Sequence, residues 1–338
     1  MRKYFQAGNT SRGFINYFND SLDMDTATQI LYIKGGSGVG KSTLMREASS
    51  IAESLGYDIE HIHCSSDPKS LDGIVIGKGK YALFDATMPH NSDPLYPMLN
   101  GEIVDLANFL DKSVLSKHRQ DIIYLVRSKK DCYKTFYAIL RPLEANVHAM
   151  LDLIDYDKAH INNLARELAS MLKDDATENR RGFLKAIDSD GIVNLTSDIV
   201  DGRDVTHIHS TYPIIANILI TKVSNYLDDT SLGHAKYYSL VEPASIETIA
   251  TKSYVLTSDT SLNAEQRIEL DNMLSVKNTH TYNILREYED NIISECQNII
   301  RSAKIFHNEL EHYYQEAMDF DSLELHNKKL LSSLFAMS

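Results

Sequence analysis

The chain has 338 residues, enough for two domains of ordinary size. With 43% hydrophobic and 24% charged residues it has a soluble globular composition, and its net charge of -13 opposes bulk binding to nucleic acid or to an anionic membrane. No run approaches the roughly 20 apolar residues of a membrane span, no signal-peptide core opens the chain, and Cys64, Cys132 and Cys296 are few and scattered, so the expected location is the reducing cytoplasm.

In chain order, the polar residues Gly8-Asn9-Thr10-Ser11-Arg12-Gly13 lead into an expected amphipathic helix around Phe14, Ile15, Tyr17 and Phe18. This segment reads either as an N-terminal cap or as a source of ligand contacts from Asn9, Thr10 or Arg12. Next, Gln29-Ile30-Leu31-Tyr32-Ile33 is a β-branched apolar run that predicts a buried strand. Gly35-Gly36-Ser37-Gly38-Val39-Gly40-Lys41-Ser42-Thr43 then fits G-x-x-x-x-G-K-[ST], and a helical pattern to Leu55 is closed by Gly56.

A glycine-rich loop between strand and helix lets backbone N–H groups wrap a polyphosphate, and the helix N-terminus adds partial positive charge. The expected nucleotide-binding residues are therefore Gly36, Ser37, Gly38, Val39, Gly40, Lys41, Ser42 and Thr43. Lys41 is placed on the β/γ-phosphates and Ser42 on Mg²⁺.

Asp58 to Cys64 alternates as a second strand and opens into a polar loop from Ser65 to Ile74. Asp67 and Asp72 in this loop are candidates for positioning a water, a metal or an acceptor; Asp67 equally suits a turn cap. His61 and His63 share a strand face from which Cys64 points away, and no second ligand pair follows, so a metal site is not expected there. Tyr81-Ala82-Leu83-Phe84-Asp85 reads as a strand ending in an acid, which would hold Mg²⁺. The predicted catalytic set is Lys41, Asp67 and Asp85, with ATP and Mg as cofactors.

Ala86 follows Asp85, where many hydrolysing P-loop motors resemble one another in carrying a glutamate base. Its absence leaves slow hydrolysis, a base from elsewhere, or transfer to an acceptor. His90, in the loop Thr87–Pro94, is placed to sense a γ-phosphate. From about Leu106 to Lys173 long helices are expected, broken at Pro142. Arg119, Arg127 and Arg141 are candidate phosphate partners, whereas Arg127-Ser128-Lys129-Lys130 as a run reads as a solvated face. Lys173 to Arg181 is a polar linker.

The chain also repeats itself. Moving 175 residues on from Tyr32 reaches His207, and Asp67-Pro68-Lys69-Ser70-Leu71-Asp72-Gly73-Ile74 falls on Glu242-Pro243-Ala244-Ser245-Ile246-Glu247-Thr248-Ile249. Tyr81–Asp85 matches Tyr254–Ser258, and Gly13-Phe14-Ile15-Asn16 matches Gly191-Ile192-Val193-Asn194. The counterpart of the phosphate loop reads Ser210-Thr211-Tyr212-Pro213-Ile214-Ile215, without its glycines and lysine, and Pro213 removes a donor. A second helical run is expected from about Ala264 to Phe335.

These stretches resemble a bacterial family of tandem P-loop ATP-binding proteins whose halves each carry a GG-x-G-x-GK-[ST] loop. The resemblance rests on Ala7-Gly8-Asn9-Thr10 with Gly13-Phe14, on Lys34-Gly35-Gly36 to Ser42, on His63 to Asp67-Pro68 with Ser70-Leu71-Asp72-Gly73, and on Asp85-Ala86-Thr87 with Pro89-His90. It implies ATP binding and a doubly wound core, and this chain departs from it by losing the second loop.

The expected fold is therefore α/β: a duplicated P-loop NTPase with a mainly parallel, doubly wound sheet and long helical arms. An active half spans 1-175 (core 1-112, arm 113-175) and a degenerate half 180-338 (core 180-262, arm 263-338). The leading expectation is slow Mg-dependent ATP hydrolysis or nucleotide switching coupled to a protein partner through the helical arms. Its rivals are a phosphotransferase acting on a small acceptor and a nucleotide-stabilised scaffold. No guanine-specific N-K-x-D stands out, so ATP is favoured over GTP, and a homodimer supplying an arginine finger stays open.

Overall fold

The structure, a computed structural model, describes residues 1–20, 22–90, 92–172, 175, 179–262, 264 and 266–336. Of the expected linker, residues 173, 174 and 176–178 lie outside the described residues, as does residue 91 of the loop after Asp85. The first elements are β1 (Arg2–Tyr4), β2 (Ala7–Thr10), β3 (Gly13–Asn16), β4 (Gln29–Lys34), α1 (Lys41–Ser54), β5 (Ile59–His63), β6 (Leu71–Ile76), β7 (Tyr81–Asp85), β8 (Gly101–Asp105), α2 (Lys112–Lys117), α3 (Arg119–Leu140), α4 (Pro142–Asp152), β9 (Ile154–Tyr156) and α5 (Lys158–Leu172). After them come β10 (Arg180–Gly182), β11 (Lys185–Asp188), β12 (Gly191–Asn194), β13 (Asp204–His209), α6 (Pro213–Asp229), β14 (Ala235–Tyr238), β15 (Ile246–Ala250), β16 (Tyr254–Thr257), β17 (Gln266–Glu269), β18 (Leu274–Val276), α7 (Thr279–Glu316) and α8 (Phe320–Ala336).

Two compact units emerge, and their boundaries are not those of consecutive halves. One comprises Met1–Lys3 with residues 22–135 and 298–336; the other comprises Tyr4–Asp20 and Phe136–Gln297. The boundary runs through the bodies of α3, of 22 residues, and α7, of 38.

The first unit is built on a six-stranded mixed sheet in the order β1-β5-β6-β7-β4-β8. In β4, Ile30, Leu31, Tyr32 and Ile33 are all at most 2% exposed, so both faces are covered and the sequence reads as a continuous apolar run. β4 pairs in parallel with β7 and β8, while β5, β6 and β7 form an antiparallel meander. The strand β6 corrects the sequence reading, which left Leu71 to Ile74 in a polar loop. Asp72 and Gly73 interrupt the apolar signal, yet all six β6 residues are buried.

Against this sheet α1 lays Leu44, Met45, Ala48 and Ala52. The same core cluster takes Leu323, Leu331, Leu334 and Phe335 from α8. The final helix, expected as an arm of the second half, is part of the first core.

The second unit repeats the order strand for strand, as β10-β14-β15-β16-β13-β17. β13 pairs in parallel with β16 and β17, and β14, β15 and β16 run antiparallel. β4 and β13 start at Gln29 and Asp204, the 175-residue offset seen in the sequence. Its core packs Ile215, Leu219, Ile220 and Val223 of α6 against Ile161, Ala165 and Leu168 of α5.

Three other expectations change. The expected helix around Phe14 is instead the strand β3, which pairs with β2 after a turn at Gly13 (φ 101), and only Phe18–Asp20 turns helically. This β2–β3 hairpin belongs with the second unit: Phe5 and Phe183 exchange backbone hydrogen bonds of 2.9 and 2.7 Å, and the Tyr17 ring stacks on Phe183. Pro142 does end the first helical run, as the opening residue of α4, but β9 then interrupts before α5. Residues 266–276, expected as helix, hold β17 and β18. Among the described residues no helix is long and apolar enough to cross a membrane.

Candidate functional site

Residues 35–40 form the turn between β4 and α1. Val39, fully buried, pins the turn to the core, and Gly40 precedes α1 at φ 94, a conformation that favours glycine. As a glycine, Gly40 offers no side chain to cap the first turn of α1. Lys41 opens the helix and folds back: its Nζ donates to the carbonyls of Gly36 at 2.7 Å and Gly35 at 3.3 Å. It also stands 3.6 Å from Asp85 Oδ2, both side chains being nearly buried at 13% and 14% exposure.

Asp85 is here because β7 runs parallel to β4 with Asp85 in register with Ile33, so both strands deliver their ends to one edge of the sheet. Asp85 Oδ1 accepts from Thr87 N–H at 2.8 Å, and the Thr87 hydroxyl donates to Gly35 O at 3.0 Å. Ser42 Oγ accepts from Leu71 N–H at 3.0 Å, which joins the loop to β6. Ser42 and Asp85 are hard oxygen donors of the kind Mg²⁺ takes. Thr43 is exposed on α1.

Of the two aspartates expected near the phosphates, Asp72 joins this group. On β6 it is 4% exposed and lies 3.1 Å from His90 Nε2. Burial opposes a charged His90, but the Asp72 carboxylate, helped by Asp85, outweighs it and raises the His90 pKa above the ordinary value. Asp67 instead pairs with Lys304 of α7 at 3.4 Å.

The sign of the His90 shift makes a prediction. A raised folded-state pKa means that the pair's stabilisation is complete below the ordinary histidine value near 6.5 and is lost as pH rises through the folded value. Urea unfolding of wild type and His90→Asn across neutral to mildly alkaline pH should show this decline in wild type only. Parallel pH profiles for the two proteins would remove the His90–Asp72 pair as its source.

Sequence reasoning missed the groups that α7 brings to the loop. An added Cβ at Gly36 would lie 2.5 Å from Tyr314 Cε1, and one at Gly38 would lie 3.1 Å from Glu311 Cβ, so glycine alone permits this approach. Lys129 of α3 donates to His307 Nδ1 at 2.9 Å, which leaves the Nε2 proton facing Glu311 Oε1 at 3.3 Å. Burial, with Lys41 adding to it, lowers the Lys129 pKa. The His307 hydrogen bond, with Lys129 and Lys41 contributing, holds the Glu311 carboxyl below its usual range.

Lys129 is thus no part of a solvated face, while Arg119, Arg127 and Arg141 are exposed. Its signal was present in the sequence. Leu125, Lys129, Cys132 and Phe136 recur at helical spacing, which puts a lysine on an apolar stripe.

In the second unit the counterpart turn is shorter, because α6 already begins at Pro213. The Asp271 carboxylate fills its donors: it accepts from Ser210 Oγ at 3.0 Å, Thr211 N–H at 2.9 Å and Thr211 Oγ1 at 2.5 Å. Comparison of the chain with models of known protein families, with curated proteins and with solved structures returns no match. What the fold itself defines is an α/β protein with two mixed six-stranded sheets.

Proposed function

We propose that the first unit is a P-loop NTPase site that binds Mg·ATP through Gly36 to Thr43 and turns it over slowly, as a nucleotide switch. The observation that carries this reading is the position of Lys41, clasped between the Gly35 and Gly36 carbonyls and the Asp85 carboxylate where two parallel strands end. A lysine so placed exchanges loop carbonyls for β- and γ-phosphate oxygens without leaving Asp85. The resemblance to tandem P-loop ATP-binding proteins supports the same reading.

Ser42 and Asp85 would hold Mg²⁺, which when bound offsets phosphate charge. Asp72 favours the charged form of His90, and Lys129 of α3 stands near Lys41, where burial together with that neighbour lowers its pKa. With Ala86 in the place of a glutamate, no carboxylate follows Asp85 to activate water, and slow turnover follows. Because Glu311 and Tyr314 lie against the loop glycines, nucleotide entry displaces them, and α7 becomes the element through which a partner senses nucleotide. The second unit, its turn filled by Asp271, is the degenerate half.

The deciding experiment follows the γ-phosphate of labelled Mg·ATP incubated with the purified chain, alone and with a metabolite extract. Slow release of free phosphate by the chain alone is the expected result. Label on an extract component would replace hydrolysis by transfer, and label retained on bound ATP would leave a scaffold. No retention of nucleotide at all would sink the assignment.

A further inference from the structure

The second unit holds a cavity of about 420 Å³. Pro213 and Ile214 at the start of α6, Glu247 of β15 and Ser258 just after β16 line it. By the repeat these positions answer to Gly38, Val39, Asp72 and Asp85, so the cavity occupies the degenerate counterpart of the nucleotide site. Its chemistry is the reverse of a phosphate cradle.

Five carboxylates line the cavity, from Glu242, Glu247, Asp259, Glu289 and Asp290, against two cations, Lys185 and Arg286. Each cation already faces two acids. Lys185 Nζ is 2.9 Å from Glu247 and 3.9 Å from Asp259. Arg286 is 3.2 Å from Glu289 and 3.8 Å from Asp290. Acidic groups therefore outnumber cations along the walls of a partly enclosed space, where charge acts more strongly than in water. Such a lining repels a triphosphate and attracts a cation.

A second observation points the same way. Glu242 is only 9% exposed, and its Oε2 is buried without a hydrogen bond. His148 Nε2 stands 3.0 Å from that oxygen, and Arg12 reaches the other oxygen at 3.4 Å. The remaining walls are apolar, with Val147, Met150, Ile187 and Ile293 among them. An apolar chamber with a few convergent charged groups is the usual form of a small-molecule site.

We propose that this cavity binds a small amphipathic cation, a primary ammonium carried on an aromatic or branched apolar body. The ammonium meets Glu242 Oε2 and the carboxyl group of Glu289, and the body lies on the apolar wall. The assignment is independent of nucleotide binding in the first unit.

The probe that tests it is tryptamine, followed by the anisotropy of its indole emission. The chain contains no tryptophan, so that emission belongs to the probe alone. Tryptamine should bind, the neutral analogue tryptophol should bind about tenfold or more weakly, and indole-3-acetate should not bind. Glu242→Gln and Glu289→Gln should each weaken tryptamine about tenfold, whereas Lys41→Ala should leave it unchanged. Equal binding of tryptamine and tryptophol, preference for indole-3-acetate, loss of binding in Lys41→Ala, or no binding of tryptamine at millimolar concentration would each overturn the proposal.

Discussion

Replacing Lys41 with alanine is expected to lower Mg·ATP turnover by about 10²–10³-fold, the usual cost of deleting one group that neutralises developing charge. Binding should weaken as well, because at the proposed nucleotide site the ammonium would meet the β/γ-phosphates in the ground state and not only during reaction. The fold should survive. Lys41 Nζ contacts loop carbonyls and Asp85, and it contributes nothing to the apolar cluster beneath α1. Arginine at this position should not restore activity, since a planar fork cannot replace a compact point charge inside a closed loop. The check is labelled Mg·ATP retention and γ-phosphate release for wild type, Lys41→Ala and Lys41→Arg, with thermal melting recorded alongside. Tight Mg·ATP binding by a folded Lys41→Ala protein would end the P-loop reading.

What the sequence revealed about this site was what short-range chemistry encodes. A glycine-rich loop must sit between a strand and a helix, and Gln29–Lys34 and Lys41–Ser54 form them. The repeat was legible for a similar reason. Strand order depends on a run of short segments whose spacing tolerates changes in individual residues, and β4 and β13 keep the 175-residue offset although no glycine-rich loop follows β13.

Long-range partnership was not legible. A helical stripe announces a buried face but not what covers it. Nothing in the sequence of α7 said that Glu311 and Tyr314 would lie on Gly38 and Gly36, or that the hairpin β2–β3 would stand with Phe183. The strand β6 was hidden for another reason. A carboxylate argues against a buried strand, and Asp72 occupies one buried along its whole length while paired with His90.

That interleaving sets the second large effect, expected at the far end of the chain from the site. Leu331 and Leu334 of α8 are each 3% exposed and share a core cluster with Leu44, Met45, Ala48 and Ala52 of α1. Truncating either to alanine should cost about 2–5 kcal/mol, the lost transfer free energy plus that of the cavity left behind. The two lie one helical turn apart and share neighbours, so the double variant is not a simple sum. It should still remove a large part of the about 5–15 kcal/mol that holds a domain together. Leu325 on the same helix is 57% exposed, and its truncation should stay within about 0.5 kcal/mol. Since α1 carries Lys41 at its first residue, loosening its supporting face should weaken Mg·ATP retention in step with stability. Urea unfolding and nucleotide retention, measured on the same four variants, check both halves of the expectation. A Leu331→Ala, Leu334→Ala protein as stable as Leu325→Ala would remove α8 from the first core and return it to an appended arm.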